Sequence, residues 1–305
     1  RRPDNVVFTS DVKADLARRD FSVNAMAFSE ETGIVDLYNG QLDLKSKIIR
    51  CVGNPDTRFT EDALRILRAL RFSAVLNFEI EQCTAQALFV CSNLIAFVAK
   101  ERIYHEFKKL LCGSSAYRVV QDYKSIFLKF LSCSKIEENT YFLRDAPQEF
   151  PLRYALLFYK TSVDIALANL SNLKAEKKTI CEVEFLIKNN SENYFLDSQA
   201  VKRTLSCFGK DKTKKLLDYV SITHDFSKDK KRDIQTLIEE TPVITLKELE
   251  INGYDIIDLG FKDGIEIKEL LNLALNAVLE NSCENNKNSL IEFILKEQKK
   301  VTNKT

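Results

Sequence analysis

The sequence has little of what marks secreted, membrane-spanning or all-β proteins. It contains no Trp, one Met, two His, five Pro and eight Gly among 305 residues. So few Pro and Gly residues leave few turns, which favours long helices over a β-sandwich. No apolar run approaches the roughly 18 residues of a transmembrane helix, and the first residues lack a signal-peptide pattern. We therefore expect a mainly helical, cytoplasmic protein with no membrane partner.

The chain also lacks a charge of one sign. Lys and Arg together number 45 against 44 Asp and Glu, a net charge of +1. A nucleic-acid partner must therefore be held by a local basic patch and not by bulk charge. Ten of the fifteen arginines lie within the first 102 residues. Since the planar guanidinium suits phosphates and base edges, a site for a phosphorylated ligand is expected there.

Cysteine is present without any metal-binding spacing. The eight cysteines form no CxxC pair, and the two histidines are too few for a Cys/His zinc site. Scattered thiols are typical of a reducing compartment, where Cys packs as a small core residue. The sequence therefore predicts free thiols and no metal site formed by these residues.

The pattern of apolar residues changes after residue 53. Short β-branched or alternating runs predict strands at residues 6–9 and 21–28, and a hairpin with 34–38. From residue 56 to about 111, apolar residues recur at helical spacing without a proline. We predict a mainly α fold with a small α/β N-terminal part. Its four segments are 1–52, 53–115, 116–240 and 241–305.

One charged series stands out in the predicted helix that follows residue 56. Asp62, Arg65, Arg68 and Arg71 step by three residues, so their side chains wind around a helix and suit an elongated ligand. A carboxylate accepts from an exocyclic amine, and a guanidinium donates to the neighbouring ring nitrogen or carbonyl. Asp62 and Arg65 could therefore select cytosine and adenine over guanine and uracil. A surface ion pair between the two is the other interpretation of this spacing.

Several stretches resemble one family, the class II tRNA nucleotidyltransferases, which comprise the CCA-adding enzymes and bacterial poly(A) polymerases. The similar stretches are RRDFSVNAMA at 18–27, RFTEDALRILRALRF at 58–72, ERI with Glu106 at 101–106, and INGYD at 251–255 followed by Gly260, Gly264 and Asn285. They occur in the family's order and span most of the chain. The joint match is far more specific than any one stretch.

The resemblance implies transfer of CMP and AMP from CTP and ATP to the 3′ end of tRNA. It implies that Asp62 and Arg65 select the base, and that Arg19, Arg68 and Arg71 contact the nucleotide and its phosphates. The supporting residues would be Arg18, Asp20, Asn24 and Glu61. Glu101 and Arg102 would brace the neck. In this family the four segments would be the end of a nucleotidyltransferase head, a helical neck, a body and a tail.

The expected magnesium ligands have no counterpart in the sequence. Family members carry a DxD strand that holds Mg²⁺, and no such pair occurs in the first segment; Asp11 and Asp15 are expected to be solvated charges. The lone Met26 and the opening Arg1 predict that the chain lacks the earlier part of its head. We expect these residues alone to bind tRNA weakly and to incorporate no nucleotide.

A basic run between residues 210 and 232 is the candidate contact to tRNA. Its lysine candidates are Lys214, Lys215, Lys230 and Lys231. A solvated helix face explains the run equally well. Three alternatives to CCA addition stay open: a helical RNA-binding module without catalysis, a CC-adding, A-adding or poly(A) polymerase relative, and a scaffold with protein partners only. The scaffold leaves the arginine series unexplained.

Overall fold

A computed structural model of the chain describes residues 11–31, 33–261 and 264–302. The chain forms two compact units, of which the first ends at Lys188 and the second begins at Asn189. The division into four segments stays a prediction. The strand predicted at 6–9 lies outside the described residues.

The first unit is mostly helical, with a small amount of β-structure near its start. Its elements are α1 (Val12–Ala17), β1 (Met26–Ser29), β2 (Gly33–Asp36), α2 (Gly40–Ser46), β3 (Ile48–Ile49), α3 (Pro55–Glu61), α4 (Leu64–Leu76), β4 (Glu79–Ile80), α5 (Gln82–Cys91), α6 (Lys100–Leu111), α7 (Ala116–Asp122), α8 (Lys124–Phe127), α9 (Ile136–Asn139), α10 (Phe150–Leu157), α11 (Val163–Asn172) and α12 (Lys177–Lys188). Short 3₁₀ turns cover Ser22–Asn24, Ser92–Phe97 and Thr140–Leu143. The predicted mainly α fold with a small α/β start is confirmed.

The β-structure agrees with only part of the prediction. β1 and β2 form the expected antiparallel hairpin, and β3 pairs with β4 in parallel. The strand predicted over 21–28 is wrong at its start, because Ser22–Asn24 is a 3₁₀ turn. The turn lies close against α2: a Cβ on Gly40 would come within 2.3 Å of the Ser22 carbonyl oxygen. Only glycine permits this approach.

The core of the first unit lies between α4 and α6. Leu67 and Leu70 of α4 and Ile103 and Phe107 of α6 are completely buried. The helical spacing predicted from 56 to 111 is therefore real, but it is divided among several helices. α6 ends at Leu111, with Cys112 as its C-cap and Gly113 directly after it. Gly113 has to lack a Cβ, because a Cβ at this position would lie 2.6 Å from the α4 backbone.

A buried arginine fixes the C-terminal end of α6. The Arg153 guanidinium donates to the carbonyl oxygens of Leu111 at 2.7 Å and Gly113 at 2.6 Å. It also donates to those of Ala146 at 2.7 Å and Pro147 at 2.9 Å. The residue is 2% exposed, and burial lowers its pKa. This cation satisfies carbonyls that a helix end leaves without partners.

The second unit is helical, and residues 249–294 within it pack around one apolar cluster. Its elements are a 3₁₀ turn (Glu192–Phe195), α13 (Ser198–Thr223), α14 (Lys228–Glu240), α15 (Gly253–Asp258), α16 (Gly264–Leu279) and α17 (Lys287–Thr302). Gly209, with φ 75° and ψ 168°, kinks α13. Ile256, Ala274, Leu290 and Ile294 are completely buried in the cluster.

The INGYD stretch begins α15 with a capping box. The Asn252 side chain accepts from the backbone N–H of Tyr254 at 2.8 Å, and Asp255 accepts from the N–H of Asn252 at 2.8 Å. The Asn285 side chain holds the segment that precedes this helix, because it accepts from the Glu250 N–H and donates to the Glu248 carbonyl. These contacts explain why Asn, Asp and the later Asn occur together.

All eight cysteines are free thiols, as predicted, but not all pack in the core. Cys51, Cys91 and Cys133 are buried, whereas Cys83 and Cys181 are exposed. Within the described ranges, no helix has the length and apolar character to cross a bilayer.

Candidate functional site

Asp62 lies in a break between two helices. α3 ends at Glu61 and α4 begins at Leu64, and Asp62 has an extended backbone with φ −146° and ψ 101°. Its Oδ1 accepts from the Leu64 N–H at 3.1 Å, and its Oδ2 accepts from Arg102 Nη2 at 2.9 Å. The prediction of one continuous helix through Asp62 is wrong, because α3 ends before Asp62 and this carboxylate accepts from the first N–H of α4.

Arg65 lies one turn beyond the break and is held by other groups than Asp62. Its Nη1 donates to Glu61 at 2.9 Å and to the Arg58 carbonyl at 3.3 Å, and its Nη2 donates to the Arg18 carbonyl at 3.0 Å. Arg58 also donates to Glu61, at 2.8 Å, and lowers the pKa of that carboxyl. Asp62 and Arg65 therefore do not form the i,i+3 ion pair: Asp62 pairs with Arg102, and Arg65 pairs with Glu61.

Two guanidiniums cap the end of α1. α1 ends at Ala17, and its last carbonyl groups have no partner within the helix. Arg58 Nη2 donates to the Ala17 carbonyl, and Arg65 Nη2 donates to that of Arg18. Positive charge at a helix C-terminus is favourable. The first arginine-rich stretch is thus fixed directly to the helix break that carries Asp62.

Arg18 and Arg19 share one carboxylate. Arg18 Nε donates to Asp15 at 2.8 Å and Arg19 Nη2 donates to it at 3.0 Å, and these bonds lower the Asp15 pKa. Asp15 is therefore paired and not a solvated charge as predicted. Arg19 Nη1 also donates to the Asn24 carbonyl at 3.1 Å, and the Asn24 side chain accepts from Phe21 N–H at 3.3 Å. Asn24 shapes the turn in this structure.

Arg68 forms a close ion pair with Asp20. Its Nε lies 2.5 Å from Asp20 Oδ2, and Asp20 is 7% exposed. The Arg68 guanidinium also lies 5.4 Å from the centre of the Phe72 ring. About a third of the Arg68 side chain is exposed. Asp20 therefore orients an arginine that still reaches solvent.

Arg71 is directed into the unit. Its Nε lies 2.6 Å from Glu106 Oε2, and the two side chains are 16% and 10% exposed. These buried atoms are not aligned as a hydrogen bond, so the contact is an ion pair. The guanidinium also stacks 4.0 Å from the Phe72 ring centre. Arg71 is therefore held in a largely buried pair, and its contact to phosphates stays a prediction.

The candidate lysines of the second unit lie among acidic side chains. Lys214 pairs with Glu239 at 2.6 Å and Lys231 with Asp218 at 2.6 Å. Lys230 Nζ lies 3.6 Å above a phenylalanine ring. Neighbouring carboxylates thus neutralise part of the basic run, and its contact to RNA stays a prediction.

The described residues do not fit a metal centre. None of their His, Cys, Asp and Glu side chains form a group of three or more with metal-binding geometry.

The sequence did not predict the contacts between distant parts of the chain that hold the site residues in place. Arg102 was expected to brace the neck, but its guanidinium contacts Asp62 directly. Glu106 forms an ion pair with Arg71, and the Arg58 carbonyl accepts from Arg65. The pair of Arg58 with Glu61 had a local signal, since Arg58 lies three residues before Glu61 on a helix.

Three protein-family models match the chain in succession. The Poly A polymerase head domain matches residues 1–50, and the probable RNA and SrmB-binding site of polymerase A matches residues 77–125. The putative tRNA nucleotidyltransferase domain 2 matches residues 148–294.

Individual relatives agree with these models. The CCA-adding enzyme of Staphylococcus epidermidis is 32% identical over 96% of this chain and 75% of its own length. The crystal structure of the Bacillus stearothermophilus CCA-adding enzyme in complex with CTP covers 98% of this chain and 78% of that chain, with a TM-score of 0.83 and 24% identity. A Thermotoga maritima CCA-adding enzyme complexed with tRNA covers 94% and 74%, with a TM-score of 0.64 and 20% identity. These structural matches show the fold. The sequence match shows that the chain belongs to the CCA-adding enzyme family of class II tRNA nucleotidyltransferases.

Proposed function

We propose that this chain serves the addition of CMP and AMP to the 3′ end of tRNA, with CTP and ATP as substrates, in the cytoplasm. Its membership of the CCA-adding enzyme family supports the reaction. The observation that carries the proposal for these residues is the break between α3 and α4, where an aspartate and an arginine keep free hydrogen-bonding capacity.

Asp62 retains acceptor sites for a base. A carboxylate offers about four acceptor sites, and the contacts to Leu64 and Arg102 use two of them. About a third of the side chain is exposed. The exocyclic amine of cytosine or adenine can therefore donate to Asp62, whereas the carbonyl of uracil or guanine would face it with like polarity.

Arg65 retains donors for the neighbouring base atom. Its described partners occupy both Nη1 hydrogens and one Nη2 hydrogen. Within the described residues, Nε–H and the second Nη2 hydrogen have no partner. A guanidinium has five N–H donors in a fixed plane, so these two remain for a ring nitrogen of cytosine or adenine. Together the two residues present one acceptor and one donor, which is the complement of both accepted bases.

The phosphates are assigned to the exposed arginines. Arg19 and Arg68 reach solvent while Asp15 and Asp20 fix their direction. Arg71 would have to leave a buried pair, and breaking such a pair costs about 3–5 kcal/mol. Arg19 and Arg68 are therefore the stronger candidates for the triphosphate.

The proposed reaction requires magnesium, but the described residues provide no site for the ion. When bound, the ion would supply Lewis-acid activation of the attacking hydroxyl and neutralise charge on the leaving pyrophosphate. The base-selecting residues act without it, because hydrogen bonds alone distinguish the bases. Nucleotide selection can thus be tested separately from transfer.

Equilibrium binding of four nucleotides and of tRNA tests the proposal. The purified chain should bind CTP and ATP more tightly than UTP and GTP, by about tenfold if one base contact supplies the discrimination. It should also retain a labelled tRNA transcript with an affinity that falls with salt. Equal affinity for all four nucleotides, or no retention of tRNA, would contradict the proposal.

A further inference from the structure

Arg58 lies at the centre of the contacts around the helix break. Its Nη1 donates to both carboxylate oxygens of Glu61, at 2.8 and 3.1 Å. Its Nε donates to the Val52 carbonyl at 3.1 Å, and its Nη2 donates to that of Ala17. Four of its five N–H donors are therefore used within the protein, and the side chain is only 20% exposed.

Every described contact of the Arg65 guanidinium involves a group that Arg58 places. The Glu61 carboxylate that accepts from Arg65 is held by Arg58. The Arg58 carbonyl itself accepts from Arg65 at 3.3 Å. The third acceptor, the Arg18 carbonyl, follows directly after the Ala17 carbonyl that Arg58 holds.

We propose that Arg58 is a positioning residue for base selection, which sets the direction of the Arg65 guanidinium without touching the nucleotide. The inference rests on the proposed role of Arg65. Arg58 has almost no donor left for a ligand, whereas Arg65 keeps two. A planar guanidinium selects by direction, so a small rotation moves both free donors away from the base edge.

Lysine cannot replace Arg58 in this arrangement. An ammonium has three donors that radiate from one atom, and it cannot contact Glu61, Val52 and Ala17 together as the planar fork does. Arg58→Lys therefore keeps the positive charge but loses the planar set of hydrogen bonds. Arg118→Lys is the matched control, because Arg118 lies near the other end of α4 and also bonds a carboxylate, Glu79, as well as a backbone carbonyl.

The experiment measures dissociation constants of CTP and UTP for the wild-type chain and both variants, together with the ¹⁵N–¹H signal of Arg65 Nε, assigned through Arg65→Lys. Arg58→Lys should remove most of the roughly tenfold preference for CTP over UTP that a single base contact supplies, and it should shift the Arg65 signal. Arg118→Lys should change neither. Glu61→Gln should reproduce the effect of Arg58→Lys, which covers the case in which the lysine variant does not fold.

Two results would overturn the inference. One is an unchanged Arg65 signal in folded Arg58→Lys or Glu61→Gln, and the other is an equal loss of preference in Arg118→Lys. A wild-type chain without nucleotide preference would instead contradict the proposed function. The Arg65 signal would still decide whether Arg58 positions it.

Discussion

Arg153 provides a severe test of how the first unit is held together. Arg153→Met keeps the side-chain length but removes the donors to four carbonyl oxygens. Hydrogen bonds to a charged group contribute about 1.5–3 kcal/mol each, so the gross loss is about 6–12 kcal/mol. Release of a buried cation returns several kcal/mol. We therefore expect a net loss of about 3–5 kcal/mol, a large share of the roughly 5–15 kcal/mol of a domain.

The effect should be localised at the end of α6. Hydrogen exchange read by mass spectrometry should show reduced protection in peptides that cover 100–113, with a lower urea midpoint by circular dichroism. Arg153→Lys should fall between wild type and Arg153→Met, because lysine donates to fewer carbonyls. Arg232→Met is the control: its side chain is 70% exposed, and such changes stay within about 0.5 kcal/mol. A midpoint and exchange pattern for Arg153→Met like those of this control would refute the reasoning.

Three further perturbations test separate parts of the molecule. Asn252→Ala removes the cap of α15 and should cost about 1 kcal/mol in urea unfolding, whereas no change in stability would show that the cap is dispensable. The Tyr104 hydroxyl lowers the pKa of Glu176 from 4.5 to about 2; this carboxylate therefore stabilises the fold above about pH 4.5 and loses that contribution as pH falls through about 2. An NMR titration should show the low pKa and its return toward 4.5 in Tyr104→Phe, and an ordinary pKa in the wild type would contradict the contact. Replacing the four candidate lysines of α13 and α14 by alanine should reduce the log–log salt slope of tRNA binding by about one unit for each lysine that binds a phosphate, whereas Lys188→Ala should not; an unchanged slope would reject the patch.

The sequence predicted the fold class because its signals were local. Gly33 begins β2 at the turn of the β1–β2 hairpin, and Gly209 lies at the kink in α13; both have a positive φ, where glycine is favoured. The helix break at Asp62 was missed, since Glu61, Asp62 and Ala63 interrupt neither charge spacing nor apolar periodicity. An aspartate side chain can accept from the backbone N–H two residues later and so compete with a helix, but the flanking pattern obscures this signal.

The sequence predicted which residues form the candidate site, but it did not predict which of them contact each other. Asp62 bonds Arg102, which lies forty residues further along the chain, and not Arg65. Likewise, the spacing of the arginines gave no sign that Arg71 is directed to Glu106 of another helix. Such pairings depend on how α4 and α6 pack, which periodicity within one helix does not specify.

The most direct test of base selection changes one acceptor at Asp62. Asp62→Asn replaces a carboxylate that only accepts by an amide that also donates, and Glu79→Gln, an exposed carboxylate elsewhere in the unit, is the matched control. The wild-type chain and the Glu79→Gln variant should prefer CTP over UTP to the same degree in equilibrium binding. Asp62→Asn should lower that preference by about tenfold, the discrimination of one base contact. An unaltered preference in folded Asp62→Asn would contradict the role of Asp62 in selecting the base.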